Sequence, residues 1–140
     1  MAGLKVRDVM SKDIRGISED ASLLAAAKVM VDQRVNSLVV WPKERDEPFG
    51  IVTSSDIVDA IGGRRDLEET CVSDMESTPL VVVTPGVPVP NAARMMSRLG
   101  LRHLAVFNGK TLVGIVSNLD LLRAATGGVR PGGEEVTTVL

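Results

Sequence analysis

Two stretches of the sequence place a hydroxyl residue at the end of an apolar run and an aspartate three positions further on. Thr53 and Asp56 form the first such pair, and Ser117 and Asp120 form the second. Each apolar run predicts a buried strand, and each acid falls in the first turn of a predicted helix. The N–H groups at a helix N-terminus favour phosphate, and an aspartate in the first turn can accept hydrogen bonds from both hydroxyls of a ribose. Together these groups suit a nucleoside that carries a phosphate.

The same residues also suit ordinary helix capping. Serine or threonine followed by an acid satisfies N–H groups at the start of a helix, and the helix dipole favours the negative charge there. The pair recurs at one register although the residues between its members differ, Ser54-Ser55 in the first stretch and Asn118-Leu119 in the second, which favours binding. Recurrence leaves capping open, because two copies of one fold need the same cap. A glycine three positions before each hydroxyl residue lets another backbone or a ligand approach the strand.

The two stretches belong to an internal repeat that runs through most of the chain. A shift of 66 residues places Val6 on Val72. The first copy then has a longer loop, after which a shift of 64 residues places Asp56 on Asp120. The sequence therefore predicts a duplicated unit of about 60 residues.

Each copy predicts the element order β-α-β-β-α, which is an α+β pattern. The predicted elements of the first copy are an extended segment at 14–17, a helix capped by Ser22 that runs to about Gln33, strands at 37–41 and 49–53, and a short helix capped by Ser54 or Ser55. Those of the second copy are an extended segment at 80–83, a helix at 88–99 that ends at Gly100, strands at 103–107 and 112–117, and a short helix capped by Asn118. The repeat predicts domains at residues 1–65 and 66–128 and a flexible tail over 129–140.

The composition argues against several classes of function. The formal net charge is −2, from 16 basic and 18 acidic residues, so we expect no surface for nucleic acid or for an anionic membrane. No apolar run reaches the roughly 20 residues of a transmembrane helix, and the first ten residues lack the apolar stretch of a secretory signal, so we expect a cytoplasmic protein. Cys71 and His103 are the only cysteine and histidine, and the acids do not cluster at ligand spacing. We therefore expect no catalytic residues and no metal site.

The ordered set of motifs resembles a cystathionine-beta-synthase (CBS) domain, present twice. In the first copy the resemblance lies in Val6-Arg7-Asp8-Val9-Met10, in Ile17-Ser18 and in the stretch from Gly50 to Asp56. In the second copy it begins at Val72-Ser73-Asp74-Met75, and the stretch from Gly100 to Val106 is similar to the family's second strand.

The resemblance covers about residues 4–125. It implies a pair of CBS domains, called a Bateman module, packed around a pseudo-two-fold axis that leaves two clefts. Family members bind adenosine-containing ligands in these clefts, and we expect an adenine nucleotide here, AMP before ADP or ATP, with no further cofactor. The resemblance also implies a regulatory module rather than an enzyme, commonly a homodimer, that acts on an effector protein which the sequence does not name.

The resemblance also implies which residues form the two sites. In the family the aspartate holds the ribose, the hydroxyl contacts ribose or phosphate, and the extended segment flanks the adenine. The residues implied for one site are Gly16, Ile17, Ser18, Thr53 and Asp56. Those implied for the other are Val82, Val83, Thr84, Ser117 and Asp120. Arg102 and His103 are implied to point toward phosphate, whereas the first copy has Asn36-Ser37 at these positions, so we expect two unequal sites.

Two other functions are compatible with the sequence. One is a sensor of S-adenosylmethionine on the same scaffold. The other is an interaction protein with non-functional clefts, in which apolar residues of the two short helices bury against a second copy. The residues expected on these helix faces are Ile57, Val58, Ile61, Leu121 and Leu122.

Overall fold

The structure of the chain, a computed structural model, describes residues 3–44 and 46–129. Most of the tail predicted over 129–140 lies outside these residues. The chain forms two compact units. We call the unit at Arg15–Leu80 the Thr53 unit, and the unit that takes in the chain up to Ile14 and from Val81 onward the Ser117 unit.

The elements alternate as the repeat predicts, and they form a tandem α+β fold. Up to Leu80 they are α1 (Val6–Val9), β1 (Gly16–Ser18), α2 (Leu23–Gln33), β2 (Ser37–Trp41), β3 (Gly50–Thr53), α3 (Ser54–Gly62) and a 3-10 turn (Val72–Asp74). Beyond Leu80 they are β4 (Val82–Val83), α4 (Val89–Leu99), β5 (His103–Phe107), β6 (Leu112–Ser117) and α5 (Asn118–Ala125). The prediction of two β-α-β-β-α copies is confirmed, and the short strand β1 begins two residues later than predicted.

Each unit contains one three-stranded sheet, with the second strand of the unit in the middle. In the Thr53 unit the order is β1-β2-β3, with β1 parallel and β3 antiparallel to β2. In the Ser117 unit the order is β4-β5-β6 with the same directions. The crossover that a parallel pair requires is supplied by α2 in one unit and by α4 in the other.

The core of each unit lies between one face of its sheet and its helices. In the Thr53 unit the buried residues of the sheet on this face are Ile17, Leu38, Val40 and Val52, and the helix residues that cover them include Leu23, Ala26 and Met30. Because side chains alternate along a strand, Gly16, Trp41 and Thr53 belong to the opposite face. Of the functional candidates on this sheet, Gly16 and Thr53 therefore lie on the face opposite this core, whereas Ile17 lies within it.

The long helices begin and end through local features of the sequence. Ser22 caps α2, and its hydroxyl oxygen accepts a hydrogen bond from the N–H of Ala25 at 3.0 Å, as predicted. Gly100 ends α4 in the left-handed region at φ +67°, where glycine pays no steric cost. Arg34 ends α2 in the same conformation at φ +56°. The sequence does not indicate this second left-handed residue, because arginine rarely takes that position.

The caps of the short helices differ from the prediction. Ser54 or Ser55 was the predicted cap of α3, and Asn118 that of α5, and these predictions are wrong. Thr53 and Ser117 are the cap residues, with extended backbones at φ −122° and φ −109°. The helix therefore begins directly where the strand ends, because the acid three residues on completes a reciprocal cap with the last residue of the strand.

The compact units are not the stretches 1–65 and 66–128 of the repeat. The opening segment of each repeat packs with the elements of the other. Val6 of α1 donates its N–H to the carbonyl of Val87 at 2.8 Å, within the Ser117 unit. Val72 of the 3-10 turn donates its N–H to the carbonyl of Ala21 at 2.8 Å, within the Thr53 unit.

The glycine that opens each hydroxyl-acid stretch makes room for this exchanged segment. The backbones of Ile51 and Ser77 exchange hydrogen bonds of 3.0 and 2.9 Å beside β3. A Cβ on Gly50 would overlap the Glu76 carboxylate and would lie 2.9 Å from the carbonyl oxygen of Ser77. At Gly114 a Cβ would lie 2.9 Å from the carbonyl oxygen of Ser11. Of the two partners that the sequence allowed, a backbone rather than a ligand approaches these glycines.

Glu76 is the unusual residue of this contact, because the first repeat has Met10 at the same position. Its carboxylate is partly buried against Gly50. Burial raises the pKa of the Glu76 carboxyl above its ordinary value of 4.5, and the negative charges of Glu19 and Glu47 raise it further. The folded protein therefore holds this proton to a higher pH than the unfolded chain does.

Glu76→Gln should remove a pH-dependent cost from the folded state. Stability contributed by a raised pKa is present below the unfolded value and is lost as the pH rises through the folded value. We expect the variant to unfold at higher urea than the parent at about pH 8, and the difference to shrink toward about pH 4. Urea unfolding across this range measures it, with the exposed Glu69→Gln as the control. A difference that stays constant with pH would contradict the assignment.

Candidate functional site

In the Thr53 unit, the hydroxyl residue and the acid hold each other across the junction of β3 and α3. The Oδ2 atom of Asp56 accepts a hydrogen bond from the N–H of Thr53 at 2.8 Å and another from the Thr53 hydroxyl at 3.2 Å. Both bonds use one carboxylate oxygen. The Oδ1 atom of Asp56 accepts no hydrogen bond from residues 3–44 and 46–129, and the side chain is partly exposed.

The Ser117 unit repeats this arrangement and adds a cation. The Oδ2 atom of Asp120 accepts from the N–H of Ser117 at 2.8 Å and from its hydroxyl at 3.1 Å. The Ser117 hydroxyl oxygen in turn accepts from the N–H of Asp120 at 3.3 Å. The guanidinium of Arg123 forms a hydrogen-bonded ion pair with Oδ1 of Asp120, so both carboxylate oxygens are occupied.

The two acids are therefore equivalent as caps and unequal as acceptors. Asp120 is 5% exposed and is neutralised by the arginine one turn further along α5. The position that corresponds to Arg123 in α3 holds Asp59, which cannot pair with Asp56. The capping interpretation of the sequence is confirmed for both copies. A carboxylate oxygen that remains open to a ligand is found at Asp56.

The segments implied to flank the base lie on the outer strands of the two sheets. Gly16 and Ile17 stand beside Val39 and Val40 of β2, and Ile17 is buried in the core. Only the backbone of Ile17 can face a ligand. Ser18 lies toward the far end of the sheet from Thr53, and its hydroxyl oxygen accepts from the N–H of Asp20 at 3.3 Å.

The equivalent residues of the Ser117 unit follow the same pattern. Val83 is buried in the core, whereas Val82 is 44% exposed on the other face of the sheet. Thr84 is exposed just beyond the end of β4. In both units, one residue of the segment implied to flank the base lies beside the central strand on the face opposite the core. This residue is Gly16 in the Thr53 unit and Val82 in the Ser117 unit.

Arg102 and His103 lie next to the hydroxyl residue of the Ser117 unit. His103 is the direct partner of Ser117 in the β5–β6 ladder, and the carbonyl of Arg102 accepts from the N–H of Asn118 at 2.9 Å. Both side chains make further interactions within the structure. Arg102 and His103 are thus neighbours of Ser117 in the sheet, and their role toward phosphate stays a prediction.

The short helices present apolar residues that differ in part from the expected set. Val58 and Ile61 of α3 and Leu122 of α5 are exposed, as expected. Ile57 is buried in the core of the Thr53 unit, so its expected surface role is wrong, and Leu121 is partly buried against the core of the Ser117 unit. The exposed apolar residue that the sequence analysis missed is Leu119, at 57% exposure, and its place in the first turn of α5 on the outer helix face could have indicated it.

Among the described residues, no group of three or more histidine, cysteine, aspartate or glutamate side chains could hold a metal ion. No helix within the described ranges is both long enough and apolar enough to cross a bilayer.

Comparison with known proteins assigns the fold to a family. The CBS domain family matches this chain twice, at residues 6–63 and 72–127. An uncharacterized protein of Methanopyrus kandleri is 30% identical over 126 residues, which cover 88% of this chain and 63% of that protein. Overall, the chain spans between 32% and 63% of the length of five curated archaeal relatives.

Solved structures agree with this assignment. The hexameric CBS-CP12 protein from bloom-forming cyanobacteria has a TM-score of 0.80 at 32% identity, with 85% of this chain and 69% of that chain covered. A CBS domain protein from Pyrobaculum aerophilum, solved in complex with AMP, has a TM-score of 0.71 at 23% identity, with 88% and 99% covered, and shows the same fold. This chain belongs to the CBS domain family, as a tandem pair of the kind that forms a regulatory module.

Proposed function

We propose that this chain is a regulatory module that binds an adenine nucleotide, AMP before ADP or ATP. The observation that carries the proposal is the open Oδ1 atom of Asp56, held at the start of α3 by the cap with Thr53. The AMP complex of the Pyrobaculum aerophilum protein supports the choice of ligand.

The geometry of Asp56 suits a sugar diol. Two hydrogen bonds from Thr53 fix the carboxylate, so little side-chain freedom is lost when a ligand binds. A ribose offers two adjacent O–H donors, and a hydrogen bond to a charged acceptor contributes about 1.5–3 kcal/mol. The N-terminal end of α3 adds a positive dipole end that favours a negatively charged ligand.

The two units should contribute unequally to this binding. A ribose at Asp120 must compete with Arg123 for the same oxygen, because the ion pair already satisfies it. At Asp56 no side chain of the described residues competes. We therefore propose that Asp56 is the dominant ribose acceptor.

Two other functions remain distinguishable from this one by experiment. An S-adenosylmethionine sensor would use the same diol acceptor without a phosphate, whereas the positive end of the α3 dipole favours the negatively charged phosphate of a nucleotide. A pure interaction protein would rest on the exposed apolar residues of α3 and α5. It would bind no nucleotide at all. Under the nucleotide proposal, the module regulates an effector polypeptide in response to the bound nucleotide.

Asp56→Asn should weaken AMP binding by about tenfold or more, because it removes a charged acceptor, whereas Asp120→Asn should change the affinity by less than about threefold. Asparagine caps a helix nearly as well as aspartate, so both variants should fold. Calorimetric titration with AMP measures the affinities, and thermal melting controls for folding. Equal effects of the two substitutions, or no effect of either, would contradict the assignment of Asp56.

Arg123 supplies a matched control for this experiment. Arg123→Gln alone should leave AMP affinity within about twofold, because Asp56 remains the dominant acceptor. In the Asp56→Asn background, the same substitution should restore part of the lost affinity, because it frees Oδ1 of Asp120. A double variant that binds no better than Asp56→Asn would mean that Arg123 does not control access to Asp120.

We further propose that the chain forms a homodimer through the exposed faces of α3 and α5. Val58, Ile61, Leu119 and Leu122 are each at least 57% exposed, and an isologous contact would bury them on both partners at once. Light scattering at tens of micromolar should give about twice the 14.9 kDa of one chain. Substituting Val58 and Leu122 with serine should shift the mass toward that of one chain. A parent protein that scatters as a monomer would contradict the proposal.

A further inference from the structure

We propose that Trp41 forms a stacking surface for the nucleobase in the Thr53 unit. The inference rests on the proposed binding of an adenine nucleotide and assigns a residue of this chain to base recognition. Trp41 is the only tryptophan among the 140 residues, and the chain has no tyrosine. It ends β2 and keeps 46% of its surface exposed.

The indole ring lies against the backbone of Gly16 on the neighbouring strand. A Cβ on Gly16 would lie 2.5 Å from Cζ3 and 2.9 Å from Cε3 of the ring. Any larger residue at this position would push the ring away. The absence of a side chain at Gly16 therefore lets the indole ring pack against the sheet, and part of the ring stays exposed to a ligand.

The ring and Thr53, which holds the proposed ribose acceptor Asp56, share one face of the sheet. Gly16, Trp41 and Thr53 all lie on the face opposite the core, as the burial of Ile17, Val40 and Val52 shows. Gly16 stands beside Val39, two residues along β2 from Ser37, which pairs with Thr53. Strand spacing and rise place the Cα atoms of Gly16 and Thr53 about 12 Å apart. A nucleoside bound here would place its sugar toward Asp56 and its base toward the indole.

The Ser117 unit lacks this surface. Phe107 replaces Trp41 there, and Val82 replaces Gly16. Val82 carries a branched side chain, 44% exposed, on the face where the indole lies in the other unit. A ring cannot lie on the backbone at that position, so the stacking surface is present in the same unit as the open carboxylate of Asp56.

Aromatic stacking recognises the base rather than the sugar phosphate. A tryptophan face stacks with any nucleobase, and a substitution that removes such a contact commonly reduces affinity by about tenfold or more. If Trp41 stacks with the base, AMP should bind more tightly than ribose 5-phosphate, which has the diol and the phosphate but no base.

The experiment compares AMP with ribose 5-phosphate on the full chain. In the parent, AMP should change the emission of Trp41, which is the only tryptophan signal, and ribose 5-phosphate should leave it nearly unchanged. Trp41→Leu should weaken AMP by about tenfold and ribose 5-phosphate by less than about twofold in calorimetry. Phe107→Leu, the matched substitution in the Ser117 unit, should leave both affinities unchanged, and Trp41→Phe should lie between parent and Trp41→Leu.

The outcomes separate this inference from the proposed function. If AMP binds the parent and Trp41→Leu equally well and leaves the emission unchanged, the stacking surface is rejected while nucleotide binding stands. If AMP and ribose 5-phosphate weaken together in Trp41→Leu, Trp41 supports the fold of the site and does not recognise the base. If the parent binds neither compound, the proposed function and the stacking surface fall together. The emission measurement needs no variant, so a poorly folding Trp41→Leu still leaves the inference open to rejection.

Discussion

The reciprocal cap between the last residue of a strand and the acid three positions later is the interaction on which each unit depends. At Thr53 and Asp56 it joins β3 to α3 without an intervening loop, and it satisfies a backbone N–H that the turn from strand to helix would otherwise leave unpaired. The same cap at Ser117 and Asp120 joins β6 to α5. Since the cap needs one carboxylate oxygen, the second is available for another purpose. The cap thus holds a carboxylate in a fixed position at the start of the helix. The residue one turn further along the helix determines whether the second carboxylate oxygen is already paired or can accept a hydrogen bond from a ligand.

The exchange of opening segments determines how close other groups come to these strands. Residues around Ser77 run along β3, and residues around Ser11 run along β6, each with two backbone hydrogen bonds. Gly50 and Gly114 permit this approach because no side chain stands between the backbones. The glycine of the motif therefore serves the fold, while the hydroxyl residue and the acid at its other end serve the cap and, in the proposed function, the ligand.

Much of the fold could be predicted because local signals agreed with the repeat. Ser22 caps α2 and Gly100 ends α4, as capping preferences predict, and the strands at 37–41 and 103–107 have the predicted bounds. The exchange of the opening segments could not be predicted, since two similar repeats do not specify which copy each segment packs against. The sequence left the cap residue open between Thr53 or Ser117 and the serine or asparagine at the next position, and only backbone geometry shows that the strand residue itself begins the helix.

An inequality between the two copies was predicted from the sequence, but its cause was not. The sequence named both acids and expected two unequal sites from Arg102 and His103. The structure adds a different cause, the pairing of Arg123 with Asp120, which depends on side-chain geometry. The contact between Trp41 and Gly16 could likewise not be predicted from the sequence, because these residues lie 25 positions apart and meet only through the pairing of β1 with β2.

A crystal structure of the full chain grown with AMP tests the central claim most directly. The account predicts AMP in the Thr53 unit, with both ribose hydroxyls within hydrogen-bond distance of the Asp56 carboxylate, and Arg123 still paired with Asp120. AMP bound with its ribose on Asp120, or AMP bound with no contact to Asp56, would contradict it.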